Sequence, residues 1–299
     1  MGSYYRKKYA KKNQKNKRED FIINIFAIIA IAVLAFSIFY TNTNDVKNVK
    51  IGIADLQSFK IPYKTYAELE RLSKKNNLDF ARLLTIFALE NEFFPNHAAV
   101  TPTDDILKEF IENYKYIQKQ YPEHKIEDYD AIIRNIHDEL IYFPIPQGYE
   151  DYSFNDSYGA QRTYGGERIH QGTDIMDKNN IRGKIPIVSM TDGIIQNIGW
   201  NEKGGFRIGV LSDSGTYYYY AHFDSFEHSL VKGAKVLAGD LLGYMGDSGY
   251  SKVEGTKGIF PVHLHLGISP KTSLSKDEFW INPYVFLRSI EDMKVKSVD

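Results

Sequence analysis

The run Val262-His263-Leu264-His265-Leu266-Gly267-Ile268 decides the fold class. His263 and His265 stand two apart in a strand-like stretch, and a period of two turns both imidazoles to one face, ~7 Å apart along the strand. Working upstream, similar short runs lie between turn signals: Ile185 to Val188, Gly193 to Ile198, Phe206 to Val210 and the aromatic Tyr217 to Tyr220. Alternation of Phe206, Ile208 and Val210 marks a buried face. Glycine becomes frequent only after Phe143-Pro144-Ile145-Pro146. An all-β antiparallel domain, a sandwich or half-barrel, is therefore expected over residues 147–290, with a tail at 291–299.

Residues 41–146 read as an extracytoplasmic, mainly helical segment, so the chain is α+β overall. Thr65-Tyr66-Ala67-Glu68 has the form of a capping box, and Phe80, Leu83, Leu84, Phe87 and Ala88 recur at helical spacing. Glu90 falls on that apolar stripe. Residues 78–95 resemble the opening helix of lytic transglycosylases, whose catalytic acid ends such a helix. No Gly-Leu-Met-Gln segment follows, so Glu90 reads as a helix-end residue that snorkels or pairs with a base. Phe21 to Tyr40 is twenty residues without a charge, and a helix of that length spans ~30 Å, the hydrocarbon thickness. A cleaved signal peptide would carry a shorter apolar core, ~7–15 residues, with a small-residue cleavage site. A single transmembrane helix at 21–40 is the reading.

The 299 residues are 43% apolar and 25% charged with net charge -1, enough to bury a core and too charged for a multi-span membrane protein. That balance conceals an asymmetry. Residues 1–20 hold eight Lys/Arg against Glu19 and Asp20, net +6, leaving -7 for the remainder. By the positive-inside rule the basic tail is cytoplasmic and residues 41–299 lie outside the cell membrane. An acidic folded part argues against a nucleic-acid partner. With no cysteine, disulfides, iron-sulfur clusters and thiol catalysis are excluded, and any metal must sit on His, Asp or Glu.

Such a set exists. His170-Gln171-Gly172-Thr173-Asp174 places an imidazole and a carboxylate four apart around a glycine, and two histidines on the strand at 263–265 share a face. A His-His-Asp set keeps zinc's fourth position for water, the mark of a catalytic site; calcium would want more carboxylates. His170 to Ile175, Tyr220-Ala221-His222 and His263 to Ile268 resemble the three motifs of LytM/lysostaphin-type zinc metallopeptidases, which are cell-wall endopeptidases. The similarity runs from about Tyr158 to Ser269, with accessory matches including Tyr158-Gly159 and Arg162. The resemblance implies one zinc ion per chain on His170, Asp174 and His265, a non-ligand catalytic pair His222 and His263, and peptidoglycan peptides as substrate. Zinc would supply an activated water, and the pair would move its proton and bind the tetrahedral oxyanion, without a choice of which does which.

The strand alternation puts Tyr218 and Tyr220 on the face of His222, with Tyr217 and Tyr219 pointing away. Trp200 and Phe206 read as packing, and His97, His124, His137 and His228 as solvated. Two departures from the family stand out: a long loop from Gly249 to Pro261, expected to reshape one groove wall, and Leu266-Gly267 where an aromatic and Glu are frequent. Asn155 and Asp156 lie where latent relatives occlude the metal. Gly246-Asp247-Ser248-Gly249 matches the nucleophile segment of chymotrypsin-like proteases, with His222 and Asp174 as conscripts, but in the wrong order for that family. A membrane-anchored LytM-type scaffold, serving amidase activation or a sporulation channel, is the alternative function. The helical segment is a possible docking site for a protein partner.

Overall fold

The computed structural model describes residues 53–91, 102–103, 107, 123–164, 166–275 and 278–296. The basic tail and Phe21–Tyr40 lie outside them, as do His97, the side chain of His124 and that of Glu90. Among the described residues no helix is long and apolar enough to cross a membrane.

Among the described residues the helices α1 (Ile53–Ser58), α2 (Tyr63–Asn76), α3 (Phe80–Glu90) and α4 (Glu123–Glu139) precede the sheet. Asp79 starts α3, its carboxylate accepting from Arg82 N at 2.9 Å, as a helix N-cap should. The stripe on α3 is buried as expected, with Leu84 and Ala88 at 0% and Phe87 at 1% exposure. The capping box is corrected: α2 begins at Tyr63 behind Pro62, so Thr65 lies within the first turn and not at its cap.

Eleven strands follow among the described residues: β1 (Tyr152–Phe154), β2 (Gln161–Arg162), β3 (Arg168–Ile169), β4 (Thr173–Asp177), β5 (Pro186–Val188), β6 (Gly193–Asn201), β7 (Gly205–Leu211), β8 (Tyr217–Phe226), β9 (Lys235–Val236), β10 (Leu241–Met245) and β11 (His263–Ser269). A nine-stranded sheet runs β1-β4-β11-β8-β7-β6-β9, with β10 joining β8 to β5, while β2 and β3 form a separate pair. The pairings are antiparallel. The region is not purely β, because it also holds α5 (Tyr284–Ser289), whose Val285, Phe286 and Leu287 are buried.

β11 lies between β4 and β8, the place where a residue is least able to slip register. Leu264, Leu266 and Ile268 go into the core at 1%, 0% and 0% exposure, which throws His263, His265 and Gly267 to the opposite face.

The helical segment shares this core. Phe59, just after α1, stacks on Phe286 of α5 at 5.0 Å and 7°, and Tyr66 of α2 meets the same ring edge-on at 6.1 Å. Asn282 donates from its backbone to Gln57 O at 2.7 Å and from its side chain to Ser58 O at 2.9 Å. Glu139 at the end of α4 accepts from Ser214 N at 3.0 Å and Tyr218 Oη at 3.2 Å. These contacts tie α1, α2 and α4 directly to the sheet domain.

His137 is not solvated. It is partly buried on α4, with Nδ1 2.8 Å from Tyr66 Oη, and burial lowers its pKa below 6.5. Because the unfolded chain binds this proton more readily, stability is full above the unfolded pKa and erodes as pH falls through ~6.5. His137→Gln should flatten the decline of Tm between pH 7.5 and 5.5; an unchanged decline would contradict that contribution.

Candidate metal centre

His265 on β11 pairs directly across the ladder with Asp174 on β4, while His170 enters from the turn after β3. One ligand atom from each of His170, Asp174 and His265 falls within a 4.8 Å cluster. The Asp174 Oδ1 atom lies 2.9 Å from His170 Nε2 and 3.0 Å from His265 Nδ1, and the two ring nitrogens are 2.9 Å apart. Two imidazole nitrogens and a carboxylate oxygen so close repel through their lone pairs unless a positive charge joins them. The neighbours leave those atoms available: Ser157 O accepts from His170 Nδ1 at 2.9 Å, and Arg162 donates to Asp174 Oδ2 at 2.7 Å, turning Oδ1 inward. Such outer contacts are what orient metal ligands. Mixed nitrogen and oxygen donors without sulfur fit zinc better than calcium. Burial would raise the Asp174 pKa, but the imidazoles of His170, His265 and His263 around it hold it well below the carboxylate range.

The turn that brings these groups together depends on Gly172. A Cβ there would stand 2.5 Å from Leu266 O and 2.6 Å from His265 Cε1, distances that backbone cannot yield cheaply. Gly172→Ala should weaken metal binding at least tenfold and destabilise the fold by ~1–3 kcal/mol, the usual cost of overpacking. Competition with a chelating dye reads the first effect; wild-type affinity would contradict it.

His222 and His263 sit beside the triad without joining it, their rings 4.7 Å apart. His263 Nε2 is 3.9 Å from Asp174 Oδ1. Each ring is backed by a backbone carbonyl: His222 Nδ1 donates to Ser248 O and His263 Nδ1 to Pro261 O, both at 2.7 Å. A carbonyl only accepts, so each Nδ1 carries the hydrogen and each Nε2 keeps its lone pair. Burial lowers the pKa of His222 well below 6.5 and that of His263 more modestly. Both are neutral bases near neutral pH.

The tyrosine assignment is reversed. Tyr218 and Tyr220 are fully buried, Tyr220 Oη accepting from Met190 N at 2.9 Å, whereas Tyr217 and Tyr219 line a 780 Å³ groove with His222 and His265. The cause is a β-bulge. Phe206 pairs with Phe223 but Ile208 pairs with Tyr220, which leaves an extra residue on β8. His222 takes up the misfit in the left-handed region at φ 67°, and a bulge inverts the alternation on one side of itself. Such strain in a residue other than glycine is characteristic of functional positions.

Trp280, which the motif pattern did not flag, closes the groove against Tyr217 and Tyr219 at 6.3 and 5.9 Å. It fits because position 267 is glycine: a Cβ there would lie 2.7 Å from the indole. Tyr158 fixes the segment by donating to Trp280 O at 2.9 Å. The long loop forms a wall as expected, with Phe260 packed edge-on to His222 at 4.7 Å and Tyr250 stacked on Tyr164 at 4.6 Å. Trp200 and Phe206 pack edge to face.

The serine-protease arrangement fails on geometry. Ser248 Oγ is buried, donating to Phe223 O at 2.6 Å and accepting from Phe206 N at 3.0 Å, and Asp247 is paired with Arg182. Asn155 and Asp156 stand away from the His170–Asp174–His265 cluster: Asn155 is exposed, and Asp156 accepts from Asn282 and Tyr158 N.

Residues 168–276, which span all five histidine and aspartate positions, match peptidase family M23. The chain is 38% identical over 149 residues to the L-Ala–D-Glu endopeptidase of Bacillus subtilis, covering 50% of this chain and 43% of that protein. It is 35% identical over 118 residues to glycyl-glycine endopeptidase ALE-1 of Staphylococcus capitis, covering 39% of this chain and 29% of that one. It thus spans less than half the length of these curated relatives. The crystal structure of a Ruminococcus gnavus protein assigned as a glycyl-glycine endopeptidase lytM is 38% identical, with a TM-score of 0.65, over 86% of this chain and 98% of its own. With a solved relative aligned along nearly its whole length and the metal-ready cluster inside the matched span, the chain belongs to peptidase family M23.

Proposed function

We propose that the protein is a zinc endopeptidase that hydrolyses peptide bonds of peptidoglycan, anchored through Phe21–Tyr40 with residues 41–299 outside the cell membrane. The observation that carries this reading is the convergence of a three-residue ligand set and two unligated, carbonyl-backed imidazoles in one groove. The endopeptidase names of the relatives agree with it. His170, Asp174 and His265 would hold the ion, which when bound polarises the scissile carbonyl and acidifies a water molecule. His222 and His263 do the proton work. With Nδ1 committed to a carbonyl, either ring starts as a base at Nε2, and only after taking a proton can it donate there to the oxyanion or the leaving amine. Burial keeps both rings neutral and ready to accept.

The test is hydrolysis of purified cell wall. A chelator should abolish it and added zinc restore it, while a serine-directed inhibitor leaves it untouched; chelator-resistant hydrolysis would overturn the metal reading.

A further inference from the structure

Beyond the metal ligands, the groove floor is made by the outward faces of β6, β7 and β8. Ile208 and Val210 point into the core, so Arg207 points to the groove, which it lines with Asn197, Asn201, Tyr217 and Tyr219. Two hydrogen bonds define what this patch presents. Asn197 Nδ2 donates to Tyr217 Oη at 3.2 Å and Asn201 Nδ2 to Tyr219 Oη at 3.1 Å. Each phenol oxygen therefore already accepts, and its own hydrogen remains free to be donated. Burial raises both phenol pKa values, that of Tyr219 to about 12, and the positive charge of Arg207 reaches both. They stay protonated donors.

Among the described residues Arg207 Nη1 is buried with no hydrogen-bond partner. Buried polar groups in native proteins are almost always satisfied, and two of the described acidic groups nearby have donors of their own. Glu278 accepts from Trp280 Nε1 at 3.2 Å, and Asp174 holds Arg162. A patch of donors around a planar guanidinium fork matches a planar carboxylate. A glycine-only bridge would leave the guanidinium unmatched.

Resting on the peptidase reading above, we propose that Arg207, Tyr217 and Tyr219 form a subsite for a substrate carboxylate, selecting wall peptides that carry a free acidic group beside the bond to be cut.

The experiment uses the full-length, zinc-loaded protein and three synthetic stem peptides: one with a free glutamate carboxylate next to the scissile bond, one amidated at that carboxylate, and one amidated only at its C-terminus. The wild type should prefer the first over the second by at least about tenfold in kcat/KM, the value of a hydrogen bond to a charged group. Arg207→Gln should bring that ratio near one. Equal cleavage of the first two peptides by the wild type, or a ratio unchanged in Arg207→Gln, would overturn the proposal, as would discrimination that follows the C-terminal amide instead. Binding of the same peptides by calorimetry separates the two layers. Tighter, Arg207-dependent binding of the free carboxylate without any cleavage would sustain the subsite and defeat the peptidase reading.

Discussion

His263→Ala should retain one zinc per chain yet lose ~10²–10⁴-fold in kcat, the range of a positioned acid-base group. The ring lies 3.9 Å from Asp174 Oδ1 but is excluded from the ligand cluster, and its Nδ1 is held on Pro261 O. Removing it takes away a proton acceptor without removing a ligand. His170→Ala and His265→Ala should instead lose the metal along with activity, because each deletes one of the three proposed ligands. Metal analysis beside turnover separates the classes. A His263→Ala protein that loses zinc, or His170→Ala and His265→Ala proteins that keep full hydrolysis, would reject this division of labour.

Phe286→Ala should destabilise the protein by ~3–5 kcal/mol, the range for a fully buried phenylalanine. Its ring is 0% exposed and joins α5 to Phe59 and Tyr66 from the helical segment. Since those helices and the sheet share one core, helical and aromatic circular dichroism should fall together in a single transition at lower temperature. Loss of the helical signal alone, with the sheet melting at its wild-type temperature, would make the segment a separable spacer. The link reaches the groove, because Glu139 on α4 holds the hydroxyl of Tyr218 in the strand that carries Tyr217, Tyr219 and His222.

What was legible in the sequence was local and periodic. Two histidines two apart specify their face on a strand, and the structure brings both to Asp174. The apolar spacing from Phe80 to Ala88 gives a buried helix in the same way. The tyrosine run failed because the period was carried through His222, where a bulge resets it; positive φ at a histidine leaves no compositional mark. Thr65 failed as a cap because Pro62 had already begun the helix. Docking of the helices by Phe59 and Phe286, and the place of Trp280 over Gly267, join residues far apart in sequence. No window-based pattern contains them. Gly267 was visible only as a departure, and its meaning lies in the indole it admits.

The most direct measurement of the central claim is mass spectrometry of fragments released from purified peptidoglycan by the full-length protein, with zinc content determined on the same sample. One zinc per chain and fragments bearing new peptide amino termini are predicted, both absent after Asp174→Ala. Stoichiometric zinc with intact wall, or fragments ending in cleaved sugars, would contradict the account.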